Sequence, residues 1–167
     1  MLFRSLHPDP VAFGGGHENE RRAGTENLAG IFGLVGAMEK FVNPPVFERA
    51  KLEPLAASLA EAVAKIEGAE LVGSRKHRLA NTVAFVVRGA DSIALLAGLD
   101  VEGVCASSGS ACSAGSLEPS QVIKALGKPE RANSLVRFSL GRDSTRAEVD
   151  FVGKVLPEVV RRAQLGK

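Results

Sequence analysis

The chain has 167 residues, 45% hydrophobic and 24% charged, which suffices for one sizeable core or two small lobes of a globular protein. Its 21 basic and 19 acidic residues give a formal charge of +2 without a long like-charge block, which excludes an obvious nucleic-acid partner. We expect no membrane segment and no signal peptide, hence a cytoplasmic protein whose cysteines, Cys105 and Cys112, are reduced thiols.

The first part of the chain contains one predicted helix. A lead-in without periodicity ends in a triple glycine at 14–16, which indicates a sharp turn. Thr25 can then cap a helix whose apolar side chains recur at three- and four-residue steps from Leu28 to Met38. Because this helix is apolar around much of its circumference, we expect the chain to self-associate.

Two prolines after Asn43 mark a predicted boundary between residues 1–44 and residues 45–167. The second part begins with a helix in which Pro54 marks a kink or a late start. Strands and helices then alternate, which predicts an α/β lobe with a sheet covered by helices. The predicted strands are 71–72, 82–87, 101–106 and 134–140, and the later helices are 92–99, 120–126 and a long last helix with a capping box of Thr145 and Glu148.

The two cysteines lie in different sequence surroundings. Cys112 lies in a run of serine, glycine and alanine, residues 107–116, whose side chains are too small to enclose a thiol. A reachable, reactive thiol is the prediction here, and a free cysteine in an ordinary surface loop is the alternative. Cys105 lies on the predicted apolar strand at 101–106, where buried packing is the expected role.

Four separated motifs occur in one order along the chain. They are Gly14-Gly15-Gly16-His17-Glu18, Arg22-Ala23-Gly24-Thr25-Glu26-Asn27, residues 107–118 with Pro119, and Arg137-Phe138-Ser139-Leu140-Gly141-Arg142. Together they resemble the cysteine desulfurases, in the short-cysteine-loop group of the aminotransferase class V fold. The resemblance implies that residues 45–167 are the C-terminal small domain of a fold-type I pyridoxal-phosphate enzyme, with helices on a small mixed or antiparallel sheet. It also implies that residues 1–44 are a remnant of the large cofactor domain.

The resemblance implies a sulfur-transfer reaction. In the family, pyridoxal phosphate binds free L-cysteine, a cysteine thiolate takes the substrate sulfur as a persulfide, and alanine leaves. The attacking residue matches Cys112, and a loop of small residues suits a nucleophile that must meet both substrate and acceptor. The sulfur then serves iron–sulfur cluster assembly or tRNA thiolation, through a sulfur-acceptor protein.

Two further residues match binding positions of the family. Arg137 matches the arginine that grips the substrate carboxylate, and the alternative is a strand-end arginine paired with surface acids, as its neighbour Arg142 could be. Thr25 matches a residue that reaches the cofactor phosphate across a dimer interface, and a plain helix cap is the alternative. His17 and Asn81 lie near family motifs without an assigned catalytic role, and no metal site is expected.

The family lysine that holds the cofactor is the main departure, because its position precedes Met1 here. Residues 74–77, Ser-Arg-Lys-His, contain the right residue types in a scrambled order, and we expect a charged surface turn there. We therefore expect no covalently held pyridoxal phosphate and no desulfuration by this chain alone. Three hypotheses remain. The first is the C-terminal part of a cysteine desulfurase, either a truncated product or one half of a split enzyme that an N-terminal half chain completes. The second is a stand-alone sulfane-sulfur carrier that uses Cys112, and the third is a non-catalytic dimerising or regulatory lobe.

Overall fold

The computed structural model describes residues 9–42, 47–109 and 119–166. The chain divides into two compact units, Met1–Pro45 and Val46–Lys167. The identification of residues 1–44 as a large-domain remnant and 45–167 as a small domain stays a prediction. Among the described residues, no helix has the length and apolar character needed to cross a membrane.

The first unit contains helix α1, Leu28–Phe41. Its N-cap is Asn27, whose side chain accepts a hydrogen bond from the Gly30 amide at 3.0 Å. The prediction that Thr25 caps this helix is therefore wrong, because Asn27 satisfies the first-turn amide two residues further along. Gly14 in the preceding turn has φ 151°, and a Cβ there would lie 3.0 Å from the Ala23 Cβ, so a glycine suits this position.

The second unit is built on an antiparallel sheet of three strands in the order β1-β2-β3. The strands are β1, Ala69–Leu71, β2, Thr82–Val87, and β3, Leu135–Ser139. The register places Glu70 opposite Val86 and Ala84 opposite Arg137. The predicted α/β class, with helices on a small sheet, is confirmed, and the described sheet is antiparallel rather than mixed.

Four helices of this unit surround the sheet: α2, Arg49–Ala64, α3, Ser92–Val101, α4, Gln121–Ala125, and α5, Arg146–Leu165. The predicted opening of the last helix is confirmed, since Thr145 and Glu148 form a reciprocal capping box. Pro54 lies inside α2 rather than at its start. A short 3₁₀ turn, Pro129–Arg131, precedes β3.

Successive side chains of β3 lie on opposite faces of the sheet, as in any strand. Val136 and Phe138 belong to the main core, which α2, α3 and α5 complete. Leu135 belongs to a smaller cluster on the other face, with Ile123 of α4. Arg137 shares that second face with Leu135 by alternation, so the fold directs its side chain away from the main core.

The predicted strand at 101–106 is wrong in the described structure. Helix α3 continues through Val101, and Gly103, with φ 75°, allows the chain to reverse so that the Val104 amide donates to the Leu99 carbonyl at 2.9 Å. The apolar residues that suggested a strand are partly the last turn of the helix. What remains of strand pairing is one isolated antiparallel bridge between Ser107 and Arg137.

Candidate functional site around Arg137

Arg137 lies between two backbone neighbours that hold it in place. On one side it pairs with Ala84 of β2, whose small side chain leaves room on that face. On the other side Ser107 and Arg137 exchange two backbone hydrogen bonds: the Ser107 amide donates to the Arg137 carbonyl at 3.0 Å, and the Arg137 amide donates to the Ser107 carbonyl at 2.7 Å. The guanidinium Nη2 also donates to Ser107 Oγ at 3.5 Å. The backbone of Arg137 is therefore fixed while its side chain is exposed.

The guanidinium of Arg137 has no carboxylate partner among residues 9–42, 47–109 and 119–166. Its neighbour Arg142 differs, since Nε of Arg142 lies 3.1 Å from Oδ2 of Asp143. An exposed guanidinium on a rigid strand, with its donors uncommitted to an acid, can bind a carboxylate through two parallel hydrogen bonds. This geometry suits the carboxylate-binding role predicted for Arg137, which stays a prediction.

The segment with the predicted nucleophile begins and ends at described anchors. Ser107 begins it in the bridge to Arg137. At the other end, the Ser120 amide donates to the Ala132 carbonyl at 2.9 Å, and the Ser120 hydroxyl accepts from the Ile123 amide at 3.4 Å, which caps α4. Cys112 lies outside the described residues, so its predicted catalytic role stays a prediction. The sequence did not reveal Ser107 as a partner of Arg137, because pairing across 30 residues leaves no local pattern.

Cys105 is exposed, so the prediction that it packs in the core is wrong. Val104 is buried and Ala106 packs against the main core. The thiol of Cys105 therefore lies on the solvent side of a segment whose two flanking residues pack inward. The local alternation was visible in the sequence, but the expectation rested on the apolar character of the segment alone. Cys105 is therefore the necessary control in any test of thiol chemistry.

Thr25 lies exposed in the first unit, before α1 begins. Its carbonyl accepts a hydrogen bond from Arg22 Nη1 at 3.0 Å, while the first-turn Gly30 amide is used by Asn27. Thr25 therefore lies outside the helix N-terminus, whose backbone amides would favour an anion. Its predicted role as a phosphate ligand loses the argument that rested on its being the cap. Its cofactor role stays a prediction.

His17 and Glu26 are in contact in the first unit, with Nδ1 and Oε1 3.2 Å apart. The pKa of Glu26 is lowered, chiefly by a hydrogen bond from its own backbone amide and then by the charge of His17. Asn81 in the second unit has a structural role, since its side chain donates to the Leu140 carbonyl at 3.2 Å. No group of His, Cys, Asp or Glu that could hold a metal ion occurs in the described ranges.

These observations describe an α/β protein in which the exposed Arg137 is bridged to Ser107, the first residue of a run that is rich in serine and glycine in the sequence. The family model for aminotransferase class-V matches residues 14–152, and the chain belongs to that family. It is 41% identical over 164 residues to a cysteine desulfurase of Nostoc sp. (strain PCC 7120 / SAG 25.82 / UTEX 2576), a match that covers 95% of this chain and 40% of the relative. It is also 41% identical over 155 residues to the cysteine desulfurase IscS of Methanosarcina thermophila, covering 92% and 38%.

Solved structures agree with this family. An X-ray structure of a NifS-like protein from Rickettsia africae ESF-5 matches with a TM-score of 0.73 and 28% identity, over 94% of this chain and 41% of that one. Another NifS-like protein matches with a TM-score of 0.77 and 27% identity, over 96% and 41%. The chain therefore spans about two fifths of the length of the curated relatives it matches.

The family implies pyridoxal phosphate, a cofactor that needs a lysine amine, a carboxylate at its ring nitrogen and a phosphate cup. Two of the described lysines have other partners. Lys51 donates to the Arg142 carbonyl, and Lys128 pairs with Glu70 at 2.6 Å. The expectation that this chain does not hold the cofactor covalently by itself stays a prediction.

Proposed function

We propose that this chain is the C-terminal part of a cysteine desulfurase and contributes the groups that bind the substrate carboxylate and accept the sulfur. One observation carries the proposal: Arg137, without a described acidic partner, is bridged to Ser107, at the start of the small-residue run that contains Cys112. Cys112 follows Ser107 by five residues, and five residues span at most about 18 Å. The proposed nucleophile therefore belongs to the neighbourhood of the proposed carboxylate site.

In this proposal Arg137 binds the carboxylate of L-cysteine with a two-donor hydrogen-bond fork. The Cys112 thiolate attacks the substrate sulfur. An S–S bond forms, the Cβ–S bond of the substrate breaks, and the released carbon takes up a proton to give alanine. Cys112 keeps the sulfur as a persulfide, so the atoms and electrons balance without an external oxidant.

The cofactor is held by a polypeptide equivalent to the part of the curated relatives that this chain does not span. Helix α1 is the surface on which that polypeptide docks, because none of its residues is buried. Its exposed apolar side chains, with that of Val42 just beyond it, occupy one broad side of the helix: Leu28, Ile31, Phe32, Leu34, Val35, Met38 and Val42. An apolar helix surface of this kind needs a covering partner. We place the assembly in the cytoplasm, where the thiols stay reduced.

The experiment combines this chain with a polypeptide that carries the uncovered part of the Nostoc relative, loaded with pyridoxal phosphate. With L-cysteine, the proposal expects alanine release and one added sulfur atom on Cys112, read by mass spectrometry of the peptides. Cys112→Ser abolishes the persulfide and Cys105→Ser retains it. Persulfide formation from a sulfane-sulfur donor, with no alanine from the combined chains, would support the stand-alone carrier instead.

A further inference from the structure

Ser107 and Arg137 lie directly opposite each other in an antiparallel bridge. They exchange both backbone hydrogen bonds, at 3.0 and 2.7 Å. Residues paired in this way project their side chains from the same face of a sheet, with Cβ atoms roughly 5 Å apart. On its other side Arg137 pairs with Ala84, whose methyl group carries no polar atom. Within the described ranges, Ser107 therefore supplies the polar side chain of this row beside the guanidinium.

The hydroxyl of Ser107 takes part in two hydrogen bonds of opposite direction. It donates its proton to the Gly109 carbonyl at 3.4 Å, and its oxygen accepts a hydrogen bond from Nη2 of Arg137 at 3.5 Å. A serine hydroxyl has one proton to donate and two lone pairs that accept. Because the proton is used on Gly109, the hydroxyl presents a lone pair to the guanidinium. In this arrangement Ser107 holds Arg137 and does not itself donate to a bound carboxylate.

The bond to Ser107 determines which edge of the Arg137 guanidinium stays free. A carboxylate can bind a guanidinium through two parallel hydrogen bonds along either of two edges, Nε with Nη2 or Nη1 with Nη2. Nη2 has one N–H on each edge. When one of these N–H groups donates to Ser107, its edge is occupied and the other edge stays open. A carboxylate then binds in one orientation, because the lone pair of Ser107 repels its oxygens from the occupied edge.

The backbone that carries Ser107 is held independently of its hydroxyl. Val104 is buried and Ala106 packs against the main core, so Ser107 directly follows a packed residue. The two backbone hydrogen bonds to Arg137 do not involve the side chain. Removing the hydroxyl therefore takes away its bonds to Nη2 and to Gly109 and leaves the bridge itself in place. This separates a role in orienting the guanidinium from a role in folding.

We propose that Ser107 is a positioning residue, whose hydroxyl orients the Arg137 guanidinium so that one edge is open to the substrate carboxylate. This proposal rests on the proposed function for the identity of that carboxylate. The antiparallel bridge directs the chain after Ser107 towards the Leu135 end of β3, and the Gly109 carbonyl belongs to that part of the chain. The hydroxyl thus fixes the guanidinium relative to the first three residues of the small-residue run.

The test measures how sodium acetate, at constant ionic strength, protects Arg137 of the full chain from phenylglyoxal, which modifies free guanidinium groups. Peptide mass spectrometry measures the labelling at Arg137. Ser107→Ala raises the acetate concentration for half-protection about threefold to tenfold, the effect of one lost hydrogen bond. Ser107→Thr keeps the hydroxyl and stays within about twofold. Ser108→Ala is the matched control and also stays within about twofold, since the described Ser108 forms no hydrogen bond with Arg137.

In the combined enzyme Ser107→Ala raises KM for L-cysteine by a similar factor and leaves kcat within about twofold. Unchanged half-protection in Ser107→Ala would overturn the proposal, and so would an equal loss in Ser107→Thr or a fall in kcat with KM unchanged. The protection assay needs neither Cys112 nor a cofactor. Protection that depends on the Ser107 hydroxyl, together with no alanine from the unsubstituted combined chains, would therefore reject the proposed function while the positioning of Arg137 stands.

Discussion

Arg137 and Arg142 lie five residues apart and differ in what their side chains contact. Arg142 has Asp143 beside it, whereas the described partner of the Arg137 side chain is a serine hydroxyl. Both arginines belong to one sequence motif. The sequence alone could not show which of them has an acidic partner, because ion pairs depend on side-chain rotamers and on neighbouring turns. The resemblance selected Arg137, and the contacts add a physical reason for that choice.

Arg137→Lys tests this assignment because it keeps the charge and removes the planar fork. In the combined enzyme we expect KM for L-cysteine to rise about tenfold or more, since a charge-assisted hydrogen bond contributes about 1.5–3 kcal/mol. Arg142→Lys is the matched control and leaves KM within about twofold. Steady-state alanine formation measures both, and an equal effect of the two substitutions would contradict the assignment.

At the scale of the element, the long amphipathic helix α5 could be predicted from its capping box and apolar spacing. The end of α3 could not be predicted, because Val101 and Val104 suit either a strand or a helix end, and Gly103 decides between them. The start of α1 was misplaced because Thr25 and Asn27 are both good caps two residues apart. Local propensity predicted the presence of these helices correctly. It predicted their first and last residues less well.

Gly98 in α3 tests the packing of α3 on α5. A Cβ at Gly98 would lie 2.9 Å from Cγ1 of Val159, whose branched side chain has little freedom to move. We expect Gly98→Ala to lower the free energy of unfolding by about 1–3 kcal/mol through overpacking, although alanine is the better helix former.

Gly153→Ala is the matched control, because its Cβ would lie 3.4 Å from the Ala62 Cβ, close to ordinary contact. This variant keeps or raises the free energy of unfolding, by up to about 1 kcal/mol. Urea unfolding followed by circular dichroism measures both. A stabilised Gly98→Ala would show that α3 and α5 are not in close contact.

Glu158 on α5 predicts a pH dependence of stability. Hydrogen bonds from Arg161 and Arg162 lower the pKa of its carboxyl from 4.5 to about 2. Because the pKa is lower in the folded state, the stabilisation is fully present above pH 4.5 and is lost as the pH falls towards about 2. High salt weakens the effect, since the groups are exposed.

Glu158→Gln removes this contribution, so its free energy of unfolding lies below that of the unsubstituted chain near neutral pH and converges with it in acid. Glu61→Gln, at an exposed site of α2 without an ion pair in the described part of the chain, shows no such convergence. Urea titrations across the acid range measure the difference. A difference that stays constant with pH would rule out the carboxylate as its source.

At the scale of the molecule, α1 is a helix without a buried residue. Ile31→Glu with Val35→Glu places charges on its exposed apolar side. The double variant weakens association with the complementing polypeptide at least about tenfold, because two apolar side chains that the proposed association buries are lost. Ala37→Glu lies on the opposite side of the helix from Val35 and leaves association unchanged. Analytical ultracentrifugation measures both, and self-association that the polypeptide does not displace would assign α1 to a second copy.

One measurement tests the proposed desulfurase function most directly. It is the mass of the Cys112 peptide after the combined chains have turned over L-cysteine labelled with heavy sulfur. The account predicts one labelled sulfur atom on Cys112, alanine in equal amount, and no label on the exposed thiol of Cys105. Label on Cys105 instead, or alanine formed with full yield by the Cys112→Ser variant, would contradict it.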